Sequence, residues 1–262
     1  MKIATWNVNS IKMRAEQAAG WMKHAGIDVL FMQETKTTDD GFPTALFNEA
    51  GFDVWFDGQK TYNGVALAVR RGSCTVSRVM RGLPEYPDEQ KRFIAADFAL
   101  PDGATITAAG VYVPNGQEVA SPKYLYKLDW LAALTRWARR ETADSRLVLV
   151  AGEFNIAPTD ADVWNPAEWK DKILVSAPER AALADLRAAG LSDAWESGLH
   201  APETYSWWDY RQAGFEKNHG LRIDLMLGSA ALLQRVTDVM VDTAPRAAEK
   251  PSDHAPVVMT IA

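Results

Sequence analysis

The chain has a single cysteine, Cys74, among its 262 residues. An internal disulfide is therefore excluded, and a lone thiol with no catalytic neighbours reads as a packing residue rather than a nucleophile. No segment approaches the ~20 apolar residues that a membrane helix needs. The opening Met1-Lys2-Ile3-Ala4-Thr5 lacks the layout of a signal peptide and runs straight into strand-like sequence. These absences point to a reducing, cytoplasmic setting and no membrane partner. Positive charge is also scarce, with 28 Lys and Arg against 34 Asp and Glu. The deficit weighs against a binder that relies on bulk attraction to nucleic acid, but not against an enzyme that clusters acids around a metal. Neither a Cys/His cluster nor a pair of histidines at helical spacing is present, which argues against zinc. Linkers, low-complexity stretches and sequence repeats are missing too, so residues 1–262 read as a single domain.

What is present is apolar sequence in quantity: 47% of the chain, with ten tryptophans, enough for a sizeable core. Strands are expected over 2–8, 28–32, 52–57, 64–70, 75–81, 93–99, 104–113, 147–150, 222–227, 235–241 and 256–261. Helices are expected over 11–25, 43–50, 121–140 and 178–189. The third has Ser121 and Pro122 as start signals and Leu125, Leu128, Leu131 and Leu134 at helical spacing. Residues 155–175 show no period and read as loop. The mixed order of elements implies α/β layers. Pattern alone leaves a doubly wound sheet and two packed sheets flanked by helices both open.

Six polar strings stand where apolar, strand-like runs stop: Trp6-Asn7-Val8-Asn9, Gln33-Glu34-Thr35-Lys36, Tyr112-Val113-Pro114-Asn115, Gly152-Glu153-Phe154-Asn155, Arg222-Ile223-Asp224 and Ser252-Asp253-His254. Strand ends are where α/β scaffolds carry functional loops. The strings supply carboxylates, amides, a phenol, an imidazole and cations, a set suited to a hard metal ion and a phosphate ester. Asn7 and Asn9 alternate, as do Glu153 and Asn155, so each pair is expected on one strand face, with Phe154 turned into the core. Carboxylate and amide oxygens suit Mg²⁺ or Mn²⁺ with several retained waters. Glu34 is costly to bury unless paired with Lys36 or metal-bound. Asp224 is placed to orient His254, which, protonated, would stabilise charge on a phosphate. His24, His200 and His219 have no such neighbours. Trp207-Trp208 reads either as packing or as a surface for a base or a baseless sugar.

The strings WNVNS, QETK, YNGVAL, YVPN, G-x-FN, YSWWDYR, GLRIDL and PSDHAP occur together and in this order. In this respect the chain resembles the endonuclease/exonuclease/phosphatase superfamily over nearly its full length, most closely the apurinic/apyrimidinic endonucleases of the exodeoxyribonuclease III type. The resemblance implies a four-layer α/β sandwich of two packed mixed β-sheets flanked by helices. It also implies Mg²⁺-dependent (or Mn²⁺-dependent) hydrolysis of double-stranded DNA by a monomer, at abasic sites or from 3′ ends. By resemblance, Glu34 is the main metal ligand, assisted by Asn7, with Asn9 and Asp253 close by and Lys36 tuning the acids. His254, oriented by Asp224, contacts the scissile phosphate. Tyr112, Asn115 and Asn155 touch phosphate or position the water, and Arg92 contacts the backbone. Trp207, Leu221 and Ile223 match an apolar pocket for a flipped abasic sugar.

One position departs from the pattern. Where the family has an aspartate that aligns the attacking water, this chain has Glu153. The extra methylene implies weakened catalysis with metal and DNA binding kept. Two other readings stand beside this one: a damaged-DNA binder silenced by Glu153, and a superfamily phosphatase acting on lipid or inositol phosphates.

Overall fold

The structure is a computed structural model and describes residues 1–143, 146–198 and 204–262. Among these residues two six-stranded sheets form. The first runs, in spatial order, β13 (Val236–Val241), β14 (Val257–Ile261), β1 (Lys2–Asn7), β2 (Val29–Gln33), β4 (Val65–Arg70) and β3 (Phe52–Asp57). The second runs β5 (Thr75–Arg81), β6 (Phe93–Ala99), β7 (Thr105–Tyr112), β8 (Leu147–Glu153), β12 (Asp224–Ser229) and β9 (Leu191–Asp193). In the first sheet β1 pairs parallel to β2 across helix α1 (Ile11–Ala25). In the second, β7 pairs parallel to β8 across helix α3 (Pro122–Glu141). Each sheet is thus centred on a β-α-β crossover, which puts a helix on its outer face.

Strand alternation sorts side chains into layers. On β2, Val29 and Phe31 join the central core while Leu30 and Met32 pack toward α1 and the short helix α2 (Thr44–Glu49). On β8, Leu149 and Ala151 face the same central core, while Val148 and Val150 pack under α3 and α5 (Ala177–Arg187). These strands read as unbroken apolar runs because both faces are covered. Phe31 and Phe98 meet edge-to-face between the sheets, at 6.2 Å. The result is helix, sheet, sheet, helix, the four-layer sandwich expected.

The leucine repeat that marks α3 is not its buried stripe. Each three-residue step falls about 60° short of a full turn, so the row drifts around the helix. Leu125 ends up 61% exposed, and the buried face is Tyr124, Lys127, Trp130, Leu131, Leu134 and Trp137. Residues 155–175 are not wholly irregular: they hold the short helix α4 (Pro166–Trp169) and a 3₁₀ turn at Asp160–Asp162. Two short elements had no sequence signal: β9, and the ribbon of β10 (Trp207–Trp208) and β11 (Gly220–Leu221). Helix α6 (Ala230–Leu233) follows β12 directly. No described helix is long and apolar enough to cross a membrane.

Candidate active site

Both sheets end at one place. In the first, Asn7 closes β1 beside Gln33, the last residue of β2, and Glu34 follows. In the second, Tyr112, Glu153 and Asp224 lie abreast on β7, β8 and β12. Gly152 makes this possible. Its φ is +154°, and a Cβ there would sit 2.0 Å from the Val111 carbonyl oxygen on β7. Gly152→Ala is expected to cost about 2–4 kcal/mol of stability through backbone strain and overpacking. A urea midpoint equal to that of the parent chain would show that β7 and β8 can spread instead.

One line of contacts joins the two sheets. The Tyr112 hydroxyl donates to Glu34 Oε1 at 2.8 Å. Asn7 Nδ2 donates to the same oxygen at 3.0 Å and to Glu153 Oε2 at 2.5 Å. Glu153 Oε1 stands 3.8 Å from His254 Nε2, and His254 Nδ1 lies 2.8 Å from Asp224 Oδ2. A second line runs outward. Lys36 Nζ lies 2.6 Å from Glu34 Oε2 and donates to Asn9 Oδ1 at 2.6 Å. Asn9 Nδ2 then donates to Asp253 Oδ1, and Trp207 Nε1 to Asp253 Oδ2, at 2.9 and 3.0 Å. A third group is Asn115 and Asn155, whose amides are bonded at 3.0 Å.

Strand alternation is not what brings the amides together. β1 ends at Asn7, and Asn9, at φ 42°, turns back so that its N–H donates to Asn7 Oδ1 at 2.8 Å. β8 likewise ends at Glu153, and Asn155 has φ 52°. Glu153 therefore reaches Asn7 and His254 while Asn155 reaches Asn115 and the Val113 carbonyl oxygen. Phe154 is buried in the core as expected. Glu34 and Lys36 also adopt left-handed φ, both 52°. For side-chain-bearing residues such backbone costs ~1–3 kcal/mol each and persists where the surroundings over-determine it, often at functional sites.

Charge in the cleft is set by burial and close partners. Burial alone would raise Glu34, but the Lys36 ammonium and the bonds from Asn7 and Tyr112 hold it below the ordinary carboxylate value. Glu153 is pushed up, first by burial and then by Glu34 and Asp224, against the opposing pull of His254. Burial would push His254 down; Asp224 and Glu153 outweigh it and raise the imidazole, favouring the imidazolium. Burial and the two glutamates raise Tyr112 well above its usual value, so its hydroxyl keeps the proton it donates.

The donor set fits a hard cation. Glu34 and Asp253 present carboxylate oxygens and Asn9 its amide oxygen, Asn7 meets Glu34 through Nδ2, and the Lys36 ammonium already bridges Glu34 Oε2 and Asn9 Oδ1. Among the described residues no three of His, Cys, Asp and Glu gather as a metal cluster. A Mg²⁺ site with one or two carboxylates and retained waters does not need such a trio.

Arg92 is nearly buried. Its guanidinium lies 4.6 Å from the Tyr112 ring centroid and donates to the Tyr112 carbonyl and to Gln90. It borders a cleft of about 580 Å³ lined also by Tyr62, Asn63, Tyr112, Asn115 and Lys123. Leu221 and Ile223 are fully buried in one apolar cluster with Val163 and Leu174, and Trp207 covers them from the surface side. The tryptophan pair divides: Trp208 packs edge-to-face on Phe215 and bonds Asn218, away from the site. Arg222 is spent on Asp162 and Asp193. His219 stacks on Trp164 at 3.7 Å, and His200 lies outside the described residues.

Two serines escaped the sequence reading. Ser206 Oγ donates to Asp224 Oδ2 at 2.7 Å and accepts from the Ile223 and Asp224 N–H groups. Ser252 Oγ donates to the Asn7 carbonyl and accepts from the His254 N–H. Both stand inside polar strings, next to residues given roles, and that adjacency was the available signal.

Comparison with known proteins agrees with this fold. The model of the Endonuclease/Exonuclease/phosphatase family matches residues 4–254. The chain is 35% identical to exodeoxyribonuclease III of Haemophilus influenzae, covering 98% of each sequence. Among solved structures, a 3′ phosphatase from Neisseria bound to a product DNA hairpin shares 42% identity at a TM-score of 0.92, covering 100% of this chain and 99% of that one. An AP endonuclease from Archaeoglobus fulgidus shares 34% identity at a TM-score of 0.91, with the same coverage. A site built from the strand ends of both sheets, on a sandwich of this form and with this sequence likeness, places the chain in the endonuclease/exonuclease/phosphatase family.

Proposed function

We propose that this protein is a DNA-repair nuclease. It hydrolyses phosphodiester bonds of double-stranded DNA on the 5′ side of abasic sites, or at 3′ ends as exonuclease and 3′-phosphatase, as a monomer dependent on Mg²⁺ with Mn²⁺ as substitute. One observation supports the reading: Glu34, ion-paired with Lys36, shares one line of contacts with Tyr112, Asn7, Glu153 and His254, and Trp207 reaches the same cleft through Asp253. The printed activities of the relatives, an exodeoxyribonuclease III, a 3′ phosphatase holding DNA and an AP endonuclease, support DNA as substrate.

Glu34 and Asn7 would hold the divalent ion, with Asn9 and Asp253 beside it and Lys36 keeping Glu34 ionised. Bound there, the ion supplies positive charge against phosphate oxygens and the leaving group. His254, held by Asp224 through Nδ1, donates from Nε2 to the phosphate. The Tyr112 hydroxyl donates a hydrogen bond while keeping its proton, and the Asn115 and Asn155 amides orient the phosphate or the attacking water. Glu153 aligns that water. Arg92 steadies the Tyr112 ring at the border of the cleft and contacts the DNA backbone there. Trp207 would meet the sugar that lacks a base, with the buried Leu221 and Ile223 backing it.

The test is a labelled duplex with one abasic analogue, incubated with Mg²⁺ or with EDTA. Nicking 5′ to the lesion with Mg²⁺ and none with EDTA is the expected outcome. Tight binding without nicking would favour a silenced damaged-DNA binder. The position of Glu153, spanning from Asn7 to His254, favours that as the second reading. Phosphate release from inositol headgroups alone would overturn both.

A further inference from the structure

Lys127 lies on the buried face of α3 with its ammonium fully out of solvent, paired with an equally buried Glu179 on α5. Ion pairs stripped of water contribute little net stability against an apolar replacement of the same size. What this pair touches is therefore informative. Lys127 Nζ donates to the carbonyl oxygens of Asn155 and Asn115, at 2.6 and 3.2 Å. Glu179 accepts from the N–H groups of Leu174 and Ser176, both at 3.1 Å, and from the Ser176 hydroxyl at 2.5 Å.

Three residues around the pair hold left-handed backbone: Gly116 at φ 92°, Asn155 at 52° and Leu174 at 74°. Gly116 also faces the lysine stem, since a Cβ there would come within 3.2 Å of Lys127 Cδ. Asn155 and Leu174 pay a steric cost for this conformation, so something must hold them in it. The ammonium fixes one through its carbonyl, and the carboxylate fixes the other through its amide. Asn155 and Asn115 carry the phosphate-side amides, and Leu174 packs with Leu221 and Ile223 under Trp207.

We propose that Lys127 and Glu179 form a positioning pair that sets the Asn115 and Asn155 amides and the Leu174 wall of the apolar cluster as one unit. This rests on the nuclease reading for its catalytic consequence, but not for its geometric one. The decisive variants remove charge while keeping shape. Lys127→Met with Glu179→Gln retains the cap on α5, because glutamine serves at that position of a capping box. Lys127→Gln with Glu179→Gln returns one donor toward the two carbonyls.

With a folded Met/Gln double variant, kcat on abasic duplex is expected to fall by roughly 10- to 100-fold, as misplacement on the ångström scale produces. KM for DNA stays close to the parent value, and the Gln/Gln variant recovers part of the loss. Independently of activity, the side-chain amide NMR signals of ¹⁵N-asparagine at 115 and 155 should move from distinct positions toward averaged ones. If the parent chain cuts no DNA, the nuclease reading falls and the NMR signals alone decide the positioning role. Folded variants with unmoved amide signals overturn the proposal, and so does unchanged kcat in a chain that cuts. If the Met/Gln variant fails to fold, the Gln/Gln variant carries both readouts. Failure of both to fold overturns it too, since the pair would then hold up the fold itself.

Discussion

Replacing His254 with alanine is expected to lower kcat by on the order of 10²–10³-fold, the usual loss on removing one preorganised donor aimed at developing charge. The structural case is that nearly everything holding His254 in place acts through its main chain, while its ring is left for chemistry. Its carbonyl accepts from Trp6 Nε1 at 3.0 Å and its N–H donates to Ser252 Oγ at 3.2 Å, and both bonds survive the substitution. The ring has Asp224 at 2.8 Å on one nitrogen and the Glu153 carboxylate at 3.8 Å from the other. Asp224 in turn keeps its bond from Ser206. The variant should therefore fold, bind abasic duplex and fail at the chemical step. Single-turnover cleavage with saturating Mg²⁺ measures this, with duplex affinity in EDTA as the control. A cleavage rate near that of the parent would remove the imidazole from the mechanism.

Glu153→Asp is expected to act in the opposite direction, raising single-turnover cleavage by up to about 10²-fold. The strand at Glu153 cannot withdraw to accommodate the longer side chain. Its backbone is paired with Tyr112 on one side and Asp224 on the other, and its carbonyl accepts from the Val113 N–H at 2.9 Å. The carboxylate is consequently carried about 1.5 Å further, one carbon–carbon bond, into the gap between the sheets. There it takes the short bond from Asn7 and stands against His254. Aspartate would draw it back toward β8 and leave that room for water and phosphate. Abasic-duplex affinity should hardly change, because the cleft residues are untouched. A variant that cuts no faster would mean that glutamate is the working residue at this position.

The layers of the sandwich were readable because apolar periodicity is a local property. The runs at 28–32 and 147–150 announce two-sided burial by themselves. The candidates for the cleft were readable for the same reason, since polar strings at strand ends are local too, and the fold brings Glu34, Asn7, Tyr112, Glu153, Asp224 and His254 into one line of contacts. What escaped was whatever depends on partners distant in sequence. Lys127 sits in a helix as one lysine among others, and only the fold reveals the carboxylate and carbonyls around it. Arg222 looks like a cation beside an active-site string until Asp162 and Asp193 are seen to consume it. The turns at Asn9 and Asn155 were invisible because alternation was extended past the point where each strand stops.

The strand order has a consequence for how the centre comes into being. β14 is inserted between β13 and β1, and His254 stands just ahead of it, so two strands far apart in sequence must zip together. Until it does, Asp224 lacks the imidazole it orients and Asn7 lacks the support of Ser252. The cleft is therefore completed only by a long-range strand pairing, and the acids of the second sheet are without their imidazole partner until it forms.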